Sequence, residues 1–174
     1  MKKIIFQFLI LSFFVSACNA QQPANRAHAQ NPKFDKTIAN WLSFSVKTVS
    51  PTDVKKMPEA MLLDAREREE YDVSHLPNAV FVGYNNFEKK TLTDVPKDKP
   101  IVVYCSIGYR SEKIGEKLQK MGYTKVYNLY GSIFEWVNEG NPIVDNQGNA
   151  TKKVHTFNKS WSKWVDEGKA EKVW

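Results

Sequence analysis

The chain has 174 residues, 42% of them hydrophobic and 13% aromatic, enough for one packed domain with extensions; global disorder is excluded. Its formal charge of +6 is mildly basic, and two of the charges, Lys2 and Lys3, fall in the first seventeen residues. The other lysines are scattered and no nucleic-acid motif is present, which argues against a nucleic-acid partner.

The N-terminus reads as a targeting segment. A basic MKK leads into IIFQFLILSFFV, and small residues follow in VSACNA. The apolar run is shorter than the roughly 20 residues of a membrane span. Residues 1–17 are therefore predicted to be a signal peptide. The tetrapeptide Val15 to Cys18 resembles a bacterial lipobox, in which the cysteine is lipidated and becomes the new N-terminus. Cleavage after Ala20, with loss of Cys18, is the competing reading. Two or more acyl chains on Cys18 would satisfy the condition for stable anchoring. The expected location is the exported side of a bacterial membrane.

Residues 18–45 begin polar, with Pro23 and Pro32, and read as a tether and lead-in. The domain is expected over 46–144. Ser50, Pro51 and Asp53 predict a capped helix start. MLLDA (61–65) predicts a buried strand, EREEY (67–71) a short helix with a solvated charged face, and AVFVG (79–83) a second strand. YNNFEKKTL is read as helical. IVVYC (101–105) is the most apolar strand. A helix is predicted over 110–121, with Ile114, Leu118 and Met121 on one face and Gly122 ending it. KVYNL (125–129) predicts a strand, and SIFEWVNEG (132–140) a helix. Strands alternating with helices imply an α/β fold with a central parallel sheet. Residues 145–174 form a C-terminal extension whose Trp161, Trp164 and Trp174 are expected to dock on the domain.

Chemistry concentrates at one junction. Cys105 ends the apolar strand, and Ser106-Ile107-Gly108-Tyr109-Arg110-Ser111 lead into the next helix. In parallel sheets the carboxyl ends of the strands are where ligands bind. The chain holds two cysteines, so once Cys18 is lipidated or removed Cys105 is alone. A lone cysteine in an exported protein points to a reactive thiol or to intermolecular pairing, and free cysteine can equally be a small buried hydrophobe. The loop favours reactivity: backbone N–H groups ahead of a helix can converge on one point, and Gly108 permits an unusual turn. Arg110 adds positive charge, and a thiolate, an oxyanion or a persulfide would each suit such a cradle. His28, His75 and His155 have no metal-ligand spacing, so no metal site is expected.

Three segments in order resemble the rhodanese-like sulfurtransferases, over about residues 46 to 144. They are LLDAREREEYDVSHLPNA, with Asp64, Arg66, Glu70, His75 and Pro77; CSIGYRS; and LQKMGYTKVYNLYGSIFEW, with Gly122, Leu129, Gly131 and Trp136. The resemblance implies a rhodanese-like fold and sulfur transfer without a metal or organic cofactor. Cys105 would take sulfane sulfur from thiosulfate or a persulfide, with residues 106–111 holding the charge, and a thiol or cyanide would accept it. Asp64, Arg66 and His75 are implied as structural supports. Two departures stand out. Ser106 replaces an arginine common in the family, and Tyr109 is bulky. The alternatives are a phosphatase or arsenate reductase, whose loop in related folds is one residue longer, and a sulfur-binding or redox-sensing docking module.

Overall fold

The structure is a computed structural model and describes residues 22–174. The signal peptide and Cys18 lie outside the described residues. In chain order the first elements are α1 (Pro32–Trp41), β1 (Lys47–Val49), α2 (Pro51–Lys55), β2 (Met61–Asp64), α3 (Arg68–Val73) and β3 (Val80–Phe81). β4 (Ile101–Tyr104), α4 (Tyr109–Lys120), β5 (Val126–Leu129) and α5 (Ser132–Asn138) complete the central unit. β6 (Ile143–Val144) follows, and β7 (Ala150–Thr151), β8 (Lys153–His155), α6 (Lys159–Ser162) and β9 (Glu171–Val173) form the C-terminal extension.

Five strands pair in the order β1-β5-β4-β2-β3, all parallel. β4 is the middle strand and is buried along its whole length. Its apolar run serves both faces. Val102 and Tyr104 pack with Phe34, Ile38, Leu129 and Phe134. Ile101 and Val103 pack with Leu63, Ile114 and Leu118. A strand buried on both sides has no need of alternation, which is why IVVY reads as a continuous run. α2 starts as its residues predict: Ser50 and Asp53 close a reciprocal capping box.

Three sequence expectations are corrected. The tether is folded from Arg26 onward. Asn31 caps α1 by accepting from the N–H groups of Lys33 and Phe34, and Phe34 and Ile38 are fully buried. Arg26 forks onto Asp35 at 2.6 and 3.0 Å and donates to Tyr130 Oη at 2.7 Å. Burial pushes the Asp35 carboxyl up, but Arg26 and the N–H of Ala29 outweigh it and hold it well below the usual carboxylate range. The predicted helix at 84–92 is reduced to a single 3₁₀ turn, Lys89–Leu92. The tryptophans divide: Trp164 stacks on Phe34 with ring centres 5.3 Å apart and Trp161 meets Trp41 edge to face at 5.8 Å, whereas Trp174 is exposed.

The Phe34–Trp164 stack fastens the two extensions to each other and to Phe134 of α5. Phe34→Ala is expected to cost about 3–5 kcal/mol, the range for emptying a buried aromatic site. Urea unfolding checks this. Among the described residues no helix is long and apolar enough to cross a membrane.

Candidate active site

Cys105 follows β4 directly at the carboxyl end of the sheet, and its side chain is 1% exposed. The turn after it is closed by Gly108, whose φ of 123° is costly for any residue with a Cβ. This turn brings the Gly108 N–H to Cys105 Sγ at 3.2 Å. Ser111 Oγ lies 3.6 Å from the same sulfur, 3.1 Å from Gly108 O and 2.7 Å from Asn128 Oδ1, so its single proton can serve any one of three acceptors. Asn128 Nδ2 donates to Gly108 O at 2.9 Å, fixing the turn from β5. The start of α5 holds the loop from the other side. The N–H groups of Ile133 and Phe134 reach Cys105 O and Ser106 O at 3.2 and 3.3 Å. Ser132 adopts a left-handed backbone, and its hydroxyl accepts from the Cys105 N–H at 3.0 Å. Ser132 is thus part of the loop's support.

Burial pushes the Cys105 thiol up. The charge of Arg110 and the donors of Ser111 and Gly108 outweigh that, and the thiol ends below its ordinary value. Arg110 is itself tied down. Its two terminal nitrogens meet Glu70 at 2.6 and 2.8 Å, and one of them also donates to Ser106 Oγ at 2.9 Å. Glu70 therefore does not belong to a solvated face. It is 3% exposed, and Arg110 together with Arg66 holds its carboxyl below the usual range against the opposing effect of burial.

Asp64 and Arg66 form a second ion pair with no exposure at all, through Nε–Oδ1 at 3.0 Å and Nη2–Oδ2 at 2.6 Å. Arg66 also donates to Ser74 O at 2.6 Å, joining the end of β2 to the end of α3. His75 stacks on Tyr71 with ring centres 3.9 Å apart and bridges to Val144 through backbone hydrogen bonds. None of Asp64, Arg66 and His75 borders the cavity at Cys105. Of the loop residues, Cys105, Ser106, Ile107, Tyr109 and Arg110 border it, while Gly108 and Ser111 act from beneath. The cavity measures about 310 Å³. Its rim includes Trp41, Phe157 and Trp161 from the two extensions. The sequence does not single out Glu70, Asn128, Ser132, Trp41 or Phe157 as site residues. The signal available for Glu70 is its place in the first of the three segments.

The comparisons with known proteins agree with this geometry. Residues 50–139, more than half the chain, match the model of the rhodanese-like domain. The tRNA uridine(34) hydroxylase of Erwinia tasmaniensis is 36% identical over 84 residues, covering 45% of this chain and 24% of that protein. Its counterpart from Escherichia fergusonii is 29% identical over 131 residues, covering 72% and 36%. The chain thus spans between 24% and 36% of the length of these curated relatives. Among solved structures, thiosulfate sulfurtransferase from Pseudomonas aeruginosa superimposes with a TM-score of 0.52 at 25% identity, covering 56% of this chain and 20% of that one. The BH2092 protein from Bacillus halodurans superimposes with a TM-score of 0.53 at 21% identity, covering 66% and 87%. A five-stranded parallel sheet with a cysteine loop at its central strand and a family match across that unit lead to one assignment: the chain belongs to the rhodanese-like domain family.

Proposed function

We propose that the protein is a sulfurtransferase that works through a persulfide on Cys105. The observation that carries this reading is the Gly108 N–H aimed at Sγ from 3.2 Å, on a thiol whose pKa is lowered although it is buried. In the first half-reaction the Cys105 thiolate attacks the outer sulfur of a donor. The donor's S–S bond breaks, and the inner fragment leaves with the electron pair, as sulfite if the donor is thiosulfate. In the second, an acceptor thiolate or cyanide attacks the outer sulfur of the persulfide, and Cys105 departs as the thiolate. The cradle stabilises negative charge on sulfur at both stages. Hydroxylation of tRNA, named for the relatives, is not carried over, because the chain covers at most 36% of the length of the two compared.

The test is the intact mass of the full-length chain after treatment with thiosulfate or a polysulfide. A gain of one sulfur atom, reversed by cyanide, is expected in the wild type and absent from Cys105→Ala. No gain with any donor would overturn the reading. Hydrolysis of an aryl phosphate through Cys105 faster than any sulfur transfer would favour the phosphatase class instead. Four residues separate Cys105 from Arg110, and Arg110 is occupied by Glu70, which argues against that class.

We further propose, from the sequence Val15 to Cys18, that the protein is exported and lipid-anchored at Cys18. Cells fed a labelled fatty acid should label the wild type and leave Cys18→Ala unlabelled. Label persisting in the variant would refute lipidation at this residue.

A further inference from the structure

The rim of the cavity above Cys105 is built from side chains the sheet does not need. Trp41 ends α1, Tyr109 begins α4, Phe157 follows β8, and Trp161 lies in α6. Trp41, Phe157 and Trp161 lie outside residues 50–139, the span matched by the family. Four large apolar side chains are exposed among the described residues, and three of them stand around this opening: Trp41 at 50%, Tyr109 at 37% and Phe157 at 53%. Apolar surface gathered in one concavity is the usual mark of a ligand site.

These rings are also held in place. Trp41 meets Tyr109 edge to face at 5.7 Å and Trp161 at 5.8 Å. Phe157 has a φ of 65°, a left-handed conformation that a bulky residue rarely adopts. Its N–H donates to His155 Nδ1 at 3.1 Å, and the Arg110 guanidinium faces its ring at 5.3 Å. Backbone strain retained at a site mouth is consistent with a functional position.

Charge at the cavity is already balanced. Among the described residues Arg110 is the only cationic side chain lining it, and the Glu70 carboxylate takes up both of its terminal nitrogens. A dianion entering here would lose hydration among rings and meet a cation that is already paired. An apolar group would instead release water from the rings.

We propose that this cavity binds a low-molecular-weight organic sulfur compound with an apolar group, a thiol as acceptor or its persulfide as donor, and that Trp41, Tyr109, Phe157 and Trp161 set this preference. The proposal rests on sulfur transfer through Cys105. With a persulfide donor R–S–SH, the Cys105 thiolate bonds to the outer sulfur, the donor's S–S bond breaks, and R–S⁻ leaves with the electron pair. With an acceptor thiolate the same exchange runs in reverse, and Cys105 leaves as the thiolate. Neither direction needs an outside oxidant or reductant. The volume of about 310 Å³ suits a small ligand.

The full-length chain, loaded with sulfur from inorganic polysulfide, tests this. Its loss of sulfur to phenylmethanethiol and to 2-mercaptoethanol is followed by mass, and each rate is divided by that of the same thiol with glutathione persulfide. The corrected ratio should favour phenylmethanethiol by at least about tenfold. It should fall by about fivefold or more in Trp41→Ala and in Phe157→Ser, and Phe157→Leu should keep most of it. A ratio near one in the wild type overturns the proposal even if a variant fails to fold, and so does a ratio unchanged in both folded variants. If Cys105 loads and releases sulfur but shows no preference, only the apolar substrate falls. If Cys105 takes up no sulfur at all, sulfur transfer and the substrate assignment fall together.

Discussion

Arg110→Met is expected to slow sulfur loading of Cys105 by about 10²–10³-fold near neutral pH, the range for removing one preorganised charge-stabilising group. In the wild type opposing influences act on the thiol. Burial raises its pKa, and Arg110, Ser111 and Gly108 bring it below the ordinary value. Without the guanidinium, burial prevails and the thiol stays protonated at higher pH. The sign follows directly: the defect is deepest at low pH and narrows as pH rises. Alkylation of Cys105 by iodoacetamide against pH separates this from mere misfolding. The wild-type midpoint should lie below that of an ordinary cysteine thiol, and that of the variant above the wild type's. Because Arg110→Met strands the buried carboxylate of Glu70, the double variant Glu70→Gln with Arg110→Met should regain stability yet keep the raised midpoint. A midpoint that does not move would remove Arg110 from the account of reactivity.

Asp64→Ala is expected to destabilise the fold by about 3–5 kcal/mol, because it leaves Arg66 charged, fully buried and without its carboxylate. The pair is not perfectly satisfied to begin with. Arg66 Nη1 and Ser74 Oγ are buried without a partner. Replacing both members, Asp64→Leu with Arg66→Met, should therefore recover most of the loss, since an apolar pair has no charges to desolvate. Urea unfolding of the two variants decides the point. A loss below about 1 kcal/mol in the single variant would mean that Arg66 finds water or another acceptor when Asp64 is gone.

The central strands and the cysteine loop were legible because their signals are local. Ile101 to Tyr104 are all buried, and the helix after Gly108 keeps Ile114 and Leu118 on the core side. α1 was hidden because its buried residues are few, Phe34, Ile38 and Ala39, among polar neighbours that look like linker. β1 is a three-residue edge strand, Lys47–Val49, with no apolar run to announce it. Glu70 looks solvated in EREEY because its partner Arg110 stands forty positions away. Asn128 is concealed in the same manner: one polar residue in a strand gives no sign that it fastens a turn twenty positions earlier. The aromatic rim belongs to segments far apart in sequence, and only the folded chain brings them to Cys105.

The edge-to-face contact of Trp41 with Trp161 lies on the cavity's rim and joins segments near opposite ends of the described chain. Closing so long a loop costs configurational entropy, which this contact and the Phe34–Trp164 stack offset together. Any guest seated in the cavity against both rings adds its binding energy to that closure. By mass action, occupancy and the docking of both termini are then linked events. The clasp tightens when the cavity fills, and resistance of the C-terminal segment to proteolysis becomes a gauge of what lies over the sulfur.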